Sequence, residues 1–357
     1  MGAESMSRPY LAMVVASRND DHGGDPLKRT EMAVRRFIWQ CERYGLHGEY
    51  IVVDWNPPPD RPSLGEVFRG WNLTSKFCRV RVIRVPPEIH LRIPHSSKLP
   101  LFQMWAKNVG IRRAEAEFVL ATNIDVMMSN QVMNRFAARG LSSQKMYRSD
   151  RFDVGFSFPE VFSHRFEDAD AFSNTHRINK RGACMDISLL HAKIIRESGL
   201  FVSKEHKLQA RLREKLRLFF RRKGIPLKIR SKYQLHTNAC GDFTLMAQPA
   251  WEGLRGYPEI AAYSFHIDSI LCAQAHNNGY PETILLYPEV HFHVDHADGW
   301  SPESDKTLFA RLKEKRIPYL DGQLKSYEDY CRGSRYPVVF NSTKWGFADE
   351  KFHEDSI

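Results

Sequence analysis

The chain has 357 residues, of which 42% are hydrophobic and 12% aromatic, enough to build the core of one large or two ordinary globular domains and to exclude a disordered protein. No apolar run approaches the roughly 18–20 residues that span a bilayer. The net charge of +10 is local, because residues from Ser203 to Lys232 include twelve Lys and Arg but only two Asp and Glu.

Predicted strands and helices alternate through the first part of the chain. Tyr10–Ser17 is an apolar run that predicts a buried strand. Asp25 and Pro26 then predict the start of a helix, and Gly45 predicts its end. The alternation continues with predicted strands at 49–54, 79–85 and 117–122 and predicted helices at 101–114 and 131–139. This order predicts an α/β fold with a mostly parallel sheet covered on both faces.

Polar residues follow three of these predicted strands. Ser17-Arg18-Asn19-Asp20 stands at the end of the first strand, Asp54 ends the second, and Asn123 and Asp125 follow the strand at 117–122. Ligands of parallel α/β sheets bind beyond the carboxyl ends of the strands, so we expect these side chains to share one crevice.

The second half of the chain is less regular. Tyr147–Val154 alternates charged and apolar residues, which predicts one strand at the rim of a cleft. Residues from about 156 to 183 show no clear period. A dense region from Leu235 to His296 follows the basic stretch, and the chain ends in a polar tail.

The basic stretch predicts an amphipathic helix, since Leu208, Leu212 and Leu216 recur at helical spacing among Arg and Lys. Two interpretations stay open: an ordinary helix with a solvated basic face, or one that adsorbs to an anionic membrane presenting a lipid-linked acceptor. Nucleic acid is the least favoured partner, because the stretch lacks stacking aromatic residues and any known binding motif. Six widely spaced cysteines without a CxxC pair favour a cytoplasmic protein.

Several later residues could take part in chemistry with Asp125. A divalent cation on a nucleotide diphosphate needs only one or two carboxylates and an imidazole from the protein, so we expect Asp125 to bind Mn²⁺ or Mg²⁺ with one of the histidines in His291-Phe-His293 or with His296. Asp268 is the expected base for an attacking hydroxyl, and Asp242 and Glu259 are its rivals.

Five elements in order resemble nucleotide-sugar glycosyltransferases of the GT-A fold, close to family 2 and its relatives. They are VVASRND, VVD ending at Asp54, Lys107-Asn-Val-Gly110 before EFVLATNID, LRGYPE before HID, and the late histidines. The resemblance covers roughly residues 10–300. It implies a Rossmann-like GT-A sandwich formed by one catalytic domain at 1–300, with a nucleotide-sugar half at 1–140, an acceptor half at 141–300 that includes the basic helical insertion at about 203–232, and a C-terminal extension at 301–357.

The resemblance also implies roles for particular residues. It implies metal-assisted transfer of a sugar from a nucleotide-sugar to a hydroxyl of a glycan or glycolipid. A UDP-sugar is the expected donor, and inversion is the expected stereochemical outcome. The donor would contact Ala16, Ser17, Arg18, Asn19, Asp54, Lys107, Asn108, Asn123, Ile124 and Asp125. The acceptor would contact Tyr257, Glu259 and His266, with Asp268 or Asp242 as catalytic residue and Asp125, His293 and His291 as metal ligands.

The chain departs from the family pattern at two positions. Asn123 stands where the first acid of a DxD motif is expected, and Ile267 stands where a second acid would precede Asp268. Two alternatives therefore stay open: a nucleotidyltransferase with a similar nucleotide-binding half, and a non-catalytic protein that binds nucleotide-sugar or glycan on a degenerate GT-A scaffold.

Overall fold

The structure, a computed structural model, describes residues 8–21, 24–187, 235–296, 304–320 and 322–357. The basic stretch predicted as an amphipathic helix at 203–232 lies outside the described residues. Among the described residues, no helix combines the length and the apolar character needed to cross a membrane.

The described strands form two sheets. The first sheet contains β1 (Leu11–Ser17), β2 (Gly48–Trp55), β3 (Cys78–Val85), β4 (Phe118–Ala121), β6 (Met146–Ser149), β10 (Thr244–Ala247), β11 (Glu282–Leu285) and β13 (His353–Ser356). The second sheet contains β5 (Val126–Met128), β7 (Arg151–Val154), β8 (Thr175–Lys180), β9 (Ala183–Asp186) and β12 (His291–Val294).

The strand order of the first sheet is β11-β6-β10-β4-β1-β2-β3-β13. Neighbouring strands from β4 to β3 are parallel, as are β11 and β6, whereas β10 and β13 run antiparallel to their neighbours. The predicted α/β class with a mostly parallel central sheet is therefore confirmed, and the arrangement is compatible with a Rossmann-like GT-A sandwich.

Eleven helices are described, and the longer ones cover both faces of the first sheet. They are α1 (Pro26–Tyr44), α2 (Leu64–Gly70), α3 (Pro87–His90), α4 (Gln103–Arg113), α5 (Asn130–Ala137), α6 (Phe158–Val161), α7 (Asp168–Ser173), α8 (Gln248–Leu254), α9 (Ile267–Asn277), α10 (Ser304–Glu314) and α11 (Leu324–Gly333). One apolar cluster joins the sheet to α4, α8 and α9, and the other joins its opposite face to α1, α2 and α5.

The local signals for α1 are confirmed. Asp25 accepts a hydrogen bond from the backbone N–H of Lys28, Pro26 occupies the first turn, and Gly45 ends the helix in the left-handed conformation. In α4, a Cβ on Gly110 would lie 2.5 Å from Val14 Cγ1, so only glycine lets this helix pack so closely on the sheet.

The prediction of one strand at Tyr147–Val154 is wrong. The chain leaves the first sheet after β6 at Ser149 and enters the second sheet at Arg151, as β7. Alternation of charged and apolar residues continues through both strands, so the periodicity does not reveal the change of sheet.

The C-terminal tail packs on the first sheet. β13 pairs with β3, and Leu320, Cys331, Val338 and Trp345 belong to the apolar cluster of α4, α8 and α9. The division into a domain at 1–300 and an extension at 301–357 stays a prediction.

Candidate metal and donor site

The carboxyl ends of the central parallel strands carry the polar residues that the sequence indicates. Ser17, the last residue of β1, pairs in register with Asp54 of β2. The backbone N–H of Thr122, which follows β4, donates to the carbonyl of Val14 in β1. Because the three strands are parallel, their carboxyl ends lie at the same edge of the sheet.

Three side chains at this edge form a cluster that could hold a metal ion. One ligand atom each from Asp125, His293 and His296 lies within 4.8 Å of the others. Asp125 Oδ2 is 3.8 Å from His293 Nε2 and 3.3 Å from His296 Nε2. The other carboxylate oxygen, Oδ1, is buried and has no hydrogen-bond partner. Two imidazole nitrogens and one carboxylate, whose second oxygen is buried and unsatisfied, fit a divalent cation of the first transition series.

The second sheet places His293, one of the two histidines of this cluster. In β12, His293 lies between Val126 of β5 and Asp153 of β7 in the strand register. Its Nδ1 is 2.8 Å from Asp153 Oδ1, so the carboxylate accepts the Nδ1 proton and Nε2 faces Asp125. Metal-bound histidines commonly have such a carboxylate behind them, which fixes the ring and its tautomer.

Charge around His293 favours its protonated form while the protein alone is present. Burial lowers the pKa of His293, and Arg151 lowers it further, but the charges of Asp125 and Asp153 and the hydrogen bond to Asp153 together outweigh both, so the pKa is raised. Burial raises the pKa of Asp153, but Arg151 and His293 outweigh it and hold this pKa below its usual value. A metal ion at the cluster would replace the proton on Nε2.

The structure brings His296, and not His291, into the cluster. His291 is fully buried two residues earlier in β12, where its Nδ1 is 3.3 Å from Ser149 Oγ and its ring stacks on Phe243. Burial lowers the pKa of His291 well below its usual value. Its position beside Met128 and Arg151 in the register explains why it does not reach Asp125.

Asn123 makes hydrogen bonds within the protein with both ends of its amide. Oδ1 accepts from Gln103 Nε2 at 2.8 Å and from Lys107 Nζ at 2.7 Å, and Nδ2 donates to Asp242 Oδ1 at 2.5 Å. An aspartate here would bring two carboxylates to hydrogen-bond distance of each other. The amide is therefore the side chain that this position requires, and it does not belong to the metal cluster.

Asn123 belongs to a buried polar chain that runs from Lys107 to His293. Its members, in order, are Lys107, Asn123, Asp242, Arg151, Asp153 and His293. Arg151 is its central link, since Nη1 donates to Asp242 Oδ2 at 2.8 Å and Nε is 2.9 Å from Asp153 Oδ1. Burial lowers the pKa of Lys107 to about 8, although the nearby carboxylates oppose that shift.

The two candidate bases lie in different surroundings. Asp242 is 5% exposed, and burial raises its pKa, but Arg151 and the nearby histidines together outweigh burial and hold the pKa far below the usual range. Asp268 is half-buried in the first turn of α9, and its Oδ1 accepts from the backbone N–H of Ser269. A Cβ on Gly241 would lie 3.0 Å from Asp268 Oδ2, so the glycine leaves room for that carboxylate.

Asp54 has one buried oxygen without a partner. Oδ2 accepts from the backbone N–H of Leu64 at 2.9 Å, whereas Oδ1 has no hydrogen-bond partner. Burial raises the pKa of Asp54 to about 6. Nearby, Arg18 pairs with Asp20, and Asn19 donates to the carbonyl of Pro62.

Asn108 is expected to contact the sugar donor, and Tyr257 and Glu259 are expected to contact the sugar acceptor. In the structure, Asn108 hydrogen-bonds to both Tyr257 and Glu259. Asn108 is fully buried, donates to the carbonyl of Tyr257 and to Glu259 Oε1, and accepts from the backbone N–H of Tyr257. Gly256, at φ 70°, touches this amide so closely that a side chain would displace it. These contacts give Asn108 and Glu259 a role in shaping the loop. His266, half-buried, precedes α9 at φ 71°.

Three residues of the site are absent from the sequence prediction: Arg29, Arg151 and Asp153. Arg151 and Asp153 lie in the alternating stretch that the sequence places at a cleft rim, but nothing there indicates which partners they meet. Arg29 is on α1, among several basic residues, and its Nε lies 3.8 Å from Asp125 Oδ2.

No protein-family model matches the chain, and no curated protein matches it in sequence. Among solved structures, the chain is similar to the crystal structure of TarS 1-349 from S. aureus, at 13% identity and a TM-score of 0.43. The similarity covers 90% of this chain and 70% of that chain. It is a coarse likeness.

Proposed function

We propose that the protein is a metal-assisted glycosyltransferase that moves a sugar from a nucleotide-sugar, preferably a UDP-sugar, to a hydroxyl group. The observation that carries the proposal is the cluster of Asp125, His293 and His296 at the carboxyl edge of the parallel strands. Crevices at this edge of α/β sheets bind nucleotides, and nucleotide diphosphates bind together with divalent cations.

The donor set supports Mn²⁺ over Mg²⁺. Mg²⁺ prefers oxygen ligands and keeps most of its waters, whereas imidazole suits the first-row transition metals. When bound, the ion would neutralise the charge that develops on a departing diphosphate. The chain's own part is to hold Asp125 by the backbone beside β5 and to orient His293 through Asp153.

Asp54 is the proposed contact for the nucleobase. Its unpartnered Oδ1 is a buried acceptor at the end of β2, next to Ser17 of β1. A nucleobase N–H would satisfy it, and an unsatisfied buried acceptor otherwise costs roughly 1–3 kcal/mol.

Asp268 is the proposed general base, and its surroundings support it over Asp242. A base must accept a proton during the reaction, and Asp242 is stabilised as an anion by Arg151 and already accepts hydrogen bonds at both oxygens. Asp268 is half-buried and lies against Gly241. It would take the proton of the acceptor hydroxyl while that oxygen forms the new bond to the anomeric carbon and the nucleoside diphosphate leaves with the bonding electrons, which inverts the stereochemistry.

A glycan or a lipid-linked saccharide is the proposed acceptor, approaching from the second half of the chain. Contact with an anionic membrane through residues 203–232 stays a prediction, because that stretch lies outside the described residues.

Two measurements test the proposed function. A thermal-shift screen of nucleotide-sugars with and without Mn²⁺ should raise the melting temperature only when donor and metal are both present. Slow release of nucleoside diphosphate from the same donor should require Mn²⁺, and Asp125→Ala should reduce it by on the order of 10³-fold. Lys28→Gln, which removes an exposed charge paired with Glu160, is the matched control and should retain both signals.

The outcomes separate this function from its rivals. A donor that raises the melting temperature but is never turned over would indicate a binding protein on the same scaffold. No shift with any nucleotide-sugar in the presence of Mn²⁺ would contradict the proposal.

A further inference from the structure

Arg29 lies beside the metal cluster but is not one of its three ligands. Asp25 and Pro26 fix the start of α1, which places Arg29 in its first turn with a side chain only 4% exposed. Its Nε is 3.8 Å from Asp125 Oδ2, the same oxygen that faces His293 and His296. Its Nη1 donates to the carbonyl of Gly24. The guanidinium is therefore held at the cluster by the helix and by the loop before it.

The buried carboxylates around this cluster already have cationic partners before any ion enters. Three carboxylates, from Asp125, Asp153 and Asp242, are matched by three cations, from Arg29, Arg151 and Lys107. A divalent cation bound alone would add positive charge to this site, next to the Arg29 guanidinium that lies 3.8 Å from the carboxylate ligand Asp125. With little solvent to screen the two cations, their repulsion would weaken binding of the metal alone.

A diphosphate would change this electrostatic balance. Its negative charge would compensate the metal ion, and the planar guanidinium of Arg29 offers several donors that match phosphate oxygens. We infer that Arg29 is a diphosphate-binding residue whose charge makes the cluster bind metal and diphosphate together and bind the metal alone weakly. This inference rests on the proposed function for its ligand class, but it concerns the order and coupling of binding and not the sugar.

The test compares Mn²⁺ alone with the preformed complex of Mn²⁺ and inorganic pyrophosphate, each titrated calorimetrically into the full chain, with free Mn²⁺ followed by electron paramagnetic resonance. In Arg29→Gln, Mn²⁺ alone should bind roughly tenfold more tightly and the pyrophosphate complex roughly tenfold more weakly, within the usual range of coupling between two ligands. Opposite shifts are the signature, because general damage to the site would weaken both.

Two variants act as controls. Arg29→Lys keeps the charge without the planar fork, so Mn²⁺ alone should still bind weakly, while the pyrophosphate complex should lose part of its affinity. This variant also tests the inference if Arg29→Gln does not fold. Arg43→Gln removes a charge from the far end of α1, where Arg43 pairs with Glu167 near the surface, and should change neither affinity.

Three outcomes would overturn the inference: unchanged affinities in Arg29→Gln, a loss of both affinities in a folded variant, or tight binding of Mn²⁺ alone by Arg29→Lys. The first two would show that Arg29 only neutralises Asp125 as a structural ion pair. Because the probes contain no nucleoside and no sugar, opposite shifts combined with no response to nucleotide-sugars would retain this inference and reject the proposed function.

Discussion

The two sheets contribute to the candidate site in different ways. In the first sheet, functional side chains lie at or just beyond the carboxyl ends of buried parallel strands, as with Asp54 near the end of β2 and Asp125 after β4. In the second sheet, they lie within short strands and face residues distant in the chain, as with Asp153 and His293. The first kind of position can be recognised from a local pattern, whereas the second depends on which strands become neighbours.

The buried polar chain joins the two sheets, with Lys107 at one end and His293 at the other. At the Lys107 end, burial outweighs the nearby carboxylates and lowers the pKa, whereas at the His293 end the charged partners outweigh burial. A substitution on one side at a time tests this contrast.

The largest effect is expected from Lys107, as a pH dependence of stability. The unfolded chain holds the lysine proton up to the ordinary pKa near 10.5, whereas the folded protein releases it near 8. Between these values the unfolded state binds more protons, so raising the pH stabilises the folded wild type relative to Lys107→Met, by about 3 kcal/mol over the window. Urea unfolding of both proteins at pH 7.5 and 10.5 measures this, and parallel stability changes would contradict it.

Asn123→Asp is expected to cost about 2 kcal/mol of unfolding free energy. The new carboxylate would face Asp242 at 2.5 Å in place of an amide donor, so a hydrogen bond is lost and like charges meet. Unfolding at neutral pH measures the loss, with Asn134→Asp, on the exposed surface of α5, as control. A variant as stable as wild type, or one that binds Mn²⁺ more tightly through the new acid, would refute the structural role given to the amide.

Asp153→Asn is expected to weaken Mn²⁺ binding by about 10–100-fold, the usual effect of losing the carboxylate behind a histidine ligand. The change removes the charge that orients His293 through Nδ1 while leaving the three ligands in the chain. Calorimetry with Mn²⁺ and pyrophosphate measures it. Asp186→Asn, which removes an exposed carboxylate of the same sheet, should leave the affinity unchanged. Equal Mn²⁺ affinities in the wild type and both variants would show that Asp153 does not support the metal site.

The smallest effect is expected at Asp54, as a pH dependence of donor affinity. The carboxyl group titrates near pH 6, and a nucleobase N–H donated to Oδ1 would favour the ionised form. Affinity for the donor should therefore rise about tenfold from pH 5 to pH 7, since a single proton is released on binding. Asp54→Asn should bind more weakly at pH 7 with a flatter profile. An identical pH profile in the two proteins would argue against a base contact.

Part of the site could be recognised from the sequence because its signals are local. Asp125 follows a buried strand, and the histidines stand close together in the chain. His296 could not be preferred over His291, since both are near His293 in sequence and only the strand register separates them. The sequence alone indicates that a metal ligand is missing at Asn123. The structural role of the amide becomes visible only through its partner Asp242, which is distant in the chain.

The sequence by itself determined the α/β class, the bounds of α1 and the edge of the sheet at which Asp54 and Asp125 lie, because apolar periodicity, caps and strand ends are properties of neighbouring residues. Only the tertiary structure decided that the chain changes sheet at Asp150, that Asp153 supports His293, and that Arg29 adds a positive charge beside Asp125. The physical reason is that these contacts join residues from different strands, sheets and helices that are far apart in the chain, and no local pattern encodes which distant side chains will meet.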